Sequence, residues 1–151
     1  MKLTDILAPE CVKVPLEATT KETAITELID VLDAADQLTD RDKMLQAVLE
    51  RERTRTTGIG HGLAVPHGKA NACRQLVMAV GKPAQPIDFQ SIDKEPVKVI
   101  VLLASLPDET GPHIQALARI SRLMTIETFR NAMFRAGSAE ELYGIISGHE
   151  G

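Results

Sequence analysis

A nearly continuous apolar run, Val97-Lys-Val-Ile-Val-Leu-Leu-Ala104, lies in the second half of the chain. Such a run is typical of a strand buried on both faces of a sheet, and it is too short to cross a membrane. Apolar residues recur at helical spacing before it, in residues 25–32, and after it, in residues 114–123. We therefore expect an α/β sandwich, with a central mixed β-sheet and helices on both of its faces.

Local signals predict where several of these elements begin. Thr19-Thr-Lys-Glu22 has the pattern of a capping box, in which Thr19 is the N-cap of the first long helix. A second helix is expected to begin at Thr39 and to fray between Arg51 and Thr57. Residues 75–80 are expected to form a strand. Thr110-Gly-Pro-His113 is expected to open the next helix, because proline is well tolerated in a first helical turn.

Composition limits the class of protein. The 151 residues contain no internal repeat and no Gly-, Pro- or Ser-rich linker, so we expect a single domain over 1–151. The formal net charge is −4, with one Tyr, three Phe and no Trp, which argues against nucleic-acid binding. No stretch has the form of a signal peptide or a membrane span. A cytoplasmic protein is expected, one that would serve any membrane process through partners and without inserting directly.

The segment Gly60-His-Gly-Leu-Ala-Val-Pro-His-Gly68 is not explained by a need for core packing. Leu63-Ala-Val65 has the pattern of a strand, and Pro66 should end it. His67 would then be presented at the tip of this strand. Gly68 would allow another molecule to approach the backbone closely. An ordinary loop histidine remains the alternative interpretation.

A presented neutral imidazole is a good nucleophile near neutral pH, and its phosphorylated form is a reversible phosphoryl store. Such a site needs cations and hydrogen-bond donors around the phosphoryl oxygens. Arg51, at the end of a predicted helix, and His113, in the first turn of another, are the candidates. Arg53 and Arg55 are interpreted as part of a solvated basic helix end. A surface role remains the alternative for Arg51 and for His113.

The stretch from Thr56 to Lys69, with its Gly-x-Ala-x-Pro-His core, resembles the active-site signature of enzyme IIA domains of the phosphoenolpyruvate-dependent phosphotransferase system, fructose/mannitol class. The nitrogen-regulatory branch is the most similar. The resemblance extends to Leu3-Thr-Asp-Ile-Leu7, Pro86-Ile-Asp-Phe89 and Glu140-Glu-Leu-Tyr143. His61 departs from the pattern, since an asparagine or an acidic residue is expected there, and we interpret it as a loop residue.

This resemblance implies that His67 accepts the phosphoryl group, on Nε2, and that Arg51 and His113 complete the active site. It implies a histidine-containing phosphocarrier protein, HPr, or a specialised relative, as the donor, and no cofactor. A regulatory, nitrogen-type role is favoured. A sugar-specific component that passes phosphate to the IIB domain of a separate permease, and a binding module controlled by phosphorylation, are the alternatives.

Two rival uses of these residues are weaker. The four histidines, at positions 61, 67, 113 and 149, lack the spacing of a zinc site, and two cysteines cannot supply a four-cysteine site. No Gly-x-Ser-x-Gly motif is present, which argues against a serine hydrolase of the nucleophile-elbow type. No metal is therefore expected, and Cys11 and Cys73 are interpreted as reduced thiols.

Overall fold

Six strands form one mixed sheet in the computed structural model, which describes residues 1–150 except for the side chain of Glu150. The strands are β1 (Val12–Leu16), β2 (Gly58–Gly60), β3 (Leu63–Ala64), β4 (His67–Lys69), β5 (Val77–Pro83) and β6 (Val99–Ser105). Their order is β1-β5-β6-β3-β2, and β4 also pairs with β6. The β1–β5, β3–β6 and β4–β6 pairs are parallel, whereas β5–β6 and β2–β3 are antiparallel.

The helices form two groups that pack on this sheet. They are α1 (Lys21–Ala34), α2 (Arg41–Thr54), α3 (Thr110–Met124), α4 (Glu127–Arg135) and α5 (Ala139–Glu150), and two 3-10 turns precede β1, at Leu3–Asp5 and Pro9–Cys11. Helices α1 and α2 contact each other, β1, β4 and β5, while α3, α4 and α5 form a second group against β1 and β6. The predicted α/β sandwich is confirmed. None of the helices in residues 1–150 combines the length and apolarity that a bilayer span requires.

The predicted central strand is confirmed, because all seven residues of β6 are buried. The predicted apolar face of α1, formed by Ile25, Leu28, Ile29 and Leu32, is fully buried in the same core. Burial of each such side chain contributes about 1.5–3 kcal/mol to folding. Burial of this face and of β6 therefore contributes much of the free energy of folding that holds α1 against the sheet.

Some predicted boundaries are wrong by one to three residues. The N-cap of α1 is Thr20, whose hydroxyl oxygen accepts from the backbone N–H of Thr23, 3.3 Å away. Thr23 takes the reaching-back role expected of Glu22, since its hydroxyl accepts from the backbone N–H of Thr20. Helix α2, expected to begin at Thr39, begins at Arg41 and has Asp40 as its N-cap. Strand β5 is displaced from 75–80 to Val77–Pro83, because it must pair with both β1 and β6.

Candidate functional site

His67 begins a new strand, so the prediction that it lies at the tip of a strand ended by Pro66 is wrong in detail. Strands β3 and β4 both pair in parallel with β6, and Val65 and Pro66 lie between them. Pro66 has no N–H for a ladder, but its carbonyl accepts from the backbone N–H of Leu103, 3.0 Å away. The pairing with β6 therefore continues past the proline, and His67 has a fixed backbone opposite Leu103.

The ring of His67 is oriented by the backbone before it. Its Nδ1 lies 2.8 Å from the carbonyl oxygen of Val65. A carbonyl can only accept, so Nδ1 carries the proton and Nε2 has the free lone pair of the neutral ring. Partial burial lowers the pKa of His67 below its usual value, aided by the positive charges of Arg51 and Lys69, while the hydrogen bond to Val65 opposes this shift. The ring is therefore neutral near pH 7.

Helix α2 lies directly against β4, and this contact brings Arg51 to His67. A Cβ atom at Gly68 would be 2.9 Å from Cγ2 of Val48 and 3.0 Å from its backbone nitrogen. Only a glycine lets the strand approach the helix this closely. The last turn of α2 then holds Arg51, whose Nη1 donates to the carbonyl oxygen of Arg55 at 2.9 Å.

Arg51 and His67 line the same open pocket, of about 270 Å³. The other lining residues are Arg55, Thr56, Thr57, Ile59, Val65, Ile92, Leu117 and Ser121. Ile59 and Ile92 are large exposed apolar residues, and Ile92 is 63% exposed. The pocket thus combines a nucleophilic imidazole, a guanidinium and an apolar rim that a protein partner could cover.

His113 lies beside His67 in the interior. It belongs to the first turn of α3, as predicted, but it is only 2% exposed. The two imidazole rings meet edge to face, with centroids 5.2 Å apart and planes at 65°. Nδ1 of His113 lies 2.7 Å from Oγ of Ser105, while its buried Nε2 has no hydrogen-bond partner in the described residues. Burial, together with the neighbouring His67 and Lys69, lowers the pKa of His113 to about 4.

The structure therefore brings together the three residues singled out in the sequence. Arg55, interpreted from the sequence as part of a solvated basic helix end, also lines the pocket. Arg53 lines a separate hollow. Lys69 is a further residue near His67 that the sequence does not identify as a candidate. It follows His67 by two positions, so strand alternation places both on one face of β4. Its Nζ donates to Oγ1 of Thr110, 3.0 Å away, at the start of α3.

A buried ion pair supports the loop that follows Arg51. Glu52 is 5% exposed, and one carboxylate oxygen accepts from the backbone N–H of Thr57 at 2.8 Å. The other carboxylate oxygen accepts from the Thr57 hydroxyl. Nζ of Lys21 lies 3.1 Å from Oε2 of Glu52. No spacing rule in the sequence identifies this network, because its members come from two helices and a loop.

The remaining histidines and the cysteines lie apart from this site. His61 is an exposed turn residue between β2 and β3, with φ of 56°, and its backbone N–H donates to Asp93. His149 packs its ring against Phe129. Cys11 and Cys73 are buried free thiols, and burial raises the pKa of each to about 11. Within residues 1–150, no cluster of three or more His, Cys, Asp or Glu residues could hold a metal ion.

A sequence profile described as "Phosphoenolpyruvate-dependent sugar phosphotransferase system, EIIA 2" matches residues 5–149. The chain belongs to this EIIA 2 family. The resemblance noted in the segment around His67 is thereby confirmed at the level of the family.

Two curated relatives of this EIIA 2 chain differ in their described roles. The fructose-specific EIIABC component of Bacillus subtilis is 33% identical over 150 residues, which are 99% of this chain and 24% of that protein. The nitrogen regulatory protein of Bradyrhizobium diazoefficiens is 31% identical over 149 residues, which are 97% of this chain and 95% of that protein. The crystal structure of nitrogen regulatory protein IIA-Ntr from Neisseria meningitidis has the same fold, with a TM-score of 0.87 at 24% identity, covering 95% of this chain and 98% of that one.

Proposed function

We propose that this chain is a phosphoryl carrier that accepts a phosphoryl group on Nε2 of His67 from the phosphohistidine of an HPr-type protein. The observation that carries the proposal is the 2.8 Å contact between Nδ1 of His67 and the Val65 carbonyl, which leaves Nε2 as the free nucleophile beside Arg51. The proposal places the protein in the cytoplasm, where phosphoenolpyruvate is available as the phosphoryl source.

The transfer requires no general base. The lone pair on Nε2 of His67 attacks phosphorus, the P–N bond to the donor histidine breaks, and its electron pair returns to the donor ring nitrogen. His67 then carries phosphate on Nε2 and keeps its proton on Nδ1, so its ring is formally cationic. The Val65 carbonyl, 2.8 Å away, accepts from this polarised N–H and stabilises the phosphorylated ring.

Arg51 and His113 stabilise the phosphoryl oxygens in this proposal. The Arg51 guanidinium needs only to exchange its contact with the Arg55 carbonyl for a phosphoryl oxygen. A guanidinium offers several N–H donors in one plane, which suits a phosphoryl group. The unpartnered Nε2 of His113 lies in a ring next to His67 and would donate to the transferred group.

Phosphorylation with radiolabelled phosphoenolpyruvate, enzyme I and HPr tests the site. Wild type and His61→Gln should be labelled equally, because His61 is an exposed turn residue that does not line the pocket. His67→Gln should take up no acid-labile phosphate. Equal labelling of His67→Gln and wild type would refute His67 as the acceptor.

We further propose a regulatory, nitrogen-type role, in which the phosphoryl group acts as a switch on the pocket surface. Phosphorylation adds about −1.5 to −2 charges between two arginines and an apolar rim, which is enough to gain or lose a protein partner. The match to almost the whole length of the Bradyrhizobium nitrogen regulatory protein supports this role. The second candidate role is that of a sugar carrier, which passes phosphate to a IIB domain. It is supported by the 33% identity to the fructose-specific component, which is close to the identity to the nitrogen regulatory protein.

Onward transfer separates the two roles. The phosphorylated chain would be mixed with purified IIB domains of the fructose and mannitol type, and the loss of label would be followed. A regulatory protein should keep its phosphate for many minutes and should bind its target in only one phosphorylation state. Rapid transfer to one IIB domain, with target binding unchanged by phosphorylation, would establish the sugar-carrier role instead.

A further inference from the structure

We infer that Ser105 is a positioning residue, whose hydroxyl donates to Nδ1 of His113 and so holds the proton of that ring on Nε2, the nitrogen available to the phosphoryl group. The consequence for phosphoryl transfer rests on the function proposed above, but the assignment of the proton does not. Ser105 is the last residue of β6 and is fully buried, and its Oγ lies 2.7 Å from Nδ1 of His113.

Because His113 is neutral, its ring carries a single proton, and a neighbouring group must decide which of the two nitrogens holds it. Its ring is almost completely buried, and the cation of Lys69 and the ring of His67 lie near it. A neutral imidazole has one N–H and one lone pair. Whichever role Nδ1 plays, Nε2 must play the other. The contact to Ser105 therefore decides whether the free nitrogen of His113 is a donor or an acceptor.

The two possible arrangements are unequal in hydrogen bonding. If Nδ1 of His113 donated, the hydroxyl proton of Ser105 would need another acceptor, and Oγ has no second partner within residues 1–150. A buried donor without an acceptor is costly. If Ser105 donates, its proton and the Nδ1 lone pair are both satisfied. Nε2 of His113 has no partner among the described residues in either arrangement. The arrangement in which Ser105 donates therefore leaves one buried group unpaired, whereas the other arrangement leaves two.

The ring of His113 lies next to that of His67, with centroids 5.2 Å apart, so its unpartnered N–H would gain an acceptor only when the phosphoryl group arrives. Developing negative charge on the phosphoryl oxygens would satisfy it, so the bond is made late and favours the transition state over the empty site. With the proton on Nδ1 instead, Nε2 of His113 would present a lone pair, which repels a phosphoryl oxygen. Ser105 thus acts through His113 and touches no reacting atom.

The tautomer can be read directly from the histidine nitrogen shifts in long-range ¹H–¹⁵N NMR spectra of the unphosphorylated protein. Wild type should show His113 with its proton on Nε2. Ser105→Thr and Ser105→Val form a matched pair, since they add nearly the same volume and only threonine keeps the hydroxyl. Ser105→Thr should keep the wild-type tautomer, and Ser105→Val should shift it towards Nδ1–H. A wild-type proton on Nδ1, or identical tautomers in the matched pair, would overturn the assignment.

Kinetics then test the consequence. With HPr as the donor, Ser105→Val should lower the maximal transfer rate by roughly 10- to 100-fold and leave the KM for HPr near that of Ser105→Thr. In a His113→Ala background, the change from threonine to valine should have no further effect. A shifted tautomer with an unchanged rate would overturn the positioning role. No labelling of wild type at all would refute the proposed function, whereas the tautomer measurement would still decide the assignment.

Discussion

Lys21 and Glu52 form an ion pair that is almost completely buried, with residue exposures of 9% and 5% and a separation of 3.1 Å between Nζ and Oε2. Glu52 immediately follows Arg51 on α2 and is hydrogen-bonded to both the backbone and the side chain of Thr57. The pair thus joins the start of α1 to the loop that leads from α2 into β2. This loop forms one wall of the His67 pocket, so the ion pair stabilises the site from behind.

Removal of one partner from this buried pair should be strongly destabilising. Lys21→Met leaves the Glu52 carboxylate buried without its counterion, which typically costs about 3–5 kcal/mol. Lys13→Met is the control, because Lys13 forms a more exposed pair with Glu27, for which about 0–1 kcal/mol is typical. The free energy of unfolding of each variant would be measured with urea. Similar values for the two variants would contradict the role of the Lys21–Glu52 pair.

Gly68 should not tolerate a methyl group. Gly68→Ala would push its Cβ into Val48 and the α2 backbone at 2.9–3.1 Å, for an expected loss of about 1–3 kcal/mol. It should also move His67 away from Arg51 and slow phosphorylation. Gly144→Ala is the control, since that exposed helical glycine has no atom within 4 Å of the new Cβ. It should stabilise by about 0.5–1 kcal/mol. Thermal unfolding compares the two, and a stable Gly68→Ala would exclude the steric account.

The sequence predicts the α/β class, β6 and His67 as a candidate because each leaves a local signal: helical periodicity around a strand-rich centre, an apolar run, or a histidine between a proline and a glycine. Arg51 and His113 are candidates from their positions at helix ends, and the family resemblance joins them to His67. The sequence does not predict the burial of His113, because that burial depends on the packing of α3 against β6. It also fails for Ser105, Glu52 and Lys21, whose roles arise only when distant segments meet. Local patterns specify elements, whereas polar partners inside the core are decided by tertiary contacts.

Lys69 should affect the pH below which the rate of phosphoryl transfer to His67 falls. Burial lowers the pKa of His67 most, and the charges of Arg51 and Lys69 lower it further, whereas the hydrogen bond to the Val65 carbonyl and the charge of Glu52 raise it. Lys69→Met removes a positive charge, so the pKa of His67 should rise. Since the protonated ring has no free lone pair, the transfer rate should then begin to fall at a higher pH. NMR titration of His67 and rates from pH 5 to 8 check this shift.

Lys43→Met is the matched control for that experiment, because Lys43 is exposed in the first turn of α2, at the end of the helix opposite Arg51. It should leave both the His67 titration and the pH profile unchanged. A Lys69→Met profile that coincides with that of Lys43→Met would show that the charge at Lys69 does not act on the nucleophile.

Burial of neutral His113 should make the fold sensitive to acid. Its pKa is about 4 in the folded state and about 6.5 for an ordinary histidine, so the unfolded chain binds more protons between these values. The contribution to stability is therefore present above pH 6.5 and is lost as the pH falls towards 4. His113→Gln removes this titration, and its unfolding free energy should fall less between pH 7 and 4.5 than that of wild type. Parallel pH profiles for the two proteins would contradict the burial of a neutral ring.

Arg51 should contribute to phosphoryl transfer through the geometry of its guanidinium as well as its charge. Arg51→Lys keeps the charge but cannot offer two parallel donors, so the maximal rate of transfer from HPr should fall by roughly 10- to 100-fold. Arg53→Lys is the control, because Arg53 is exposed on the same helical turn and lines a different hollow. Its rate should equal that of wild type. Rapid-quench measurements with labelled HPr would separate the two, and equal rates for Arg51→Lys and Arg53→Lys would remove Arg51 from the transfer step.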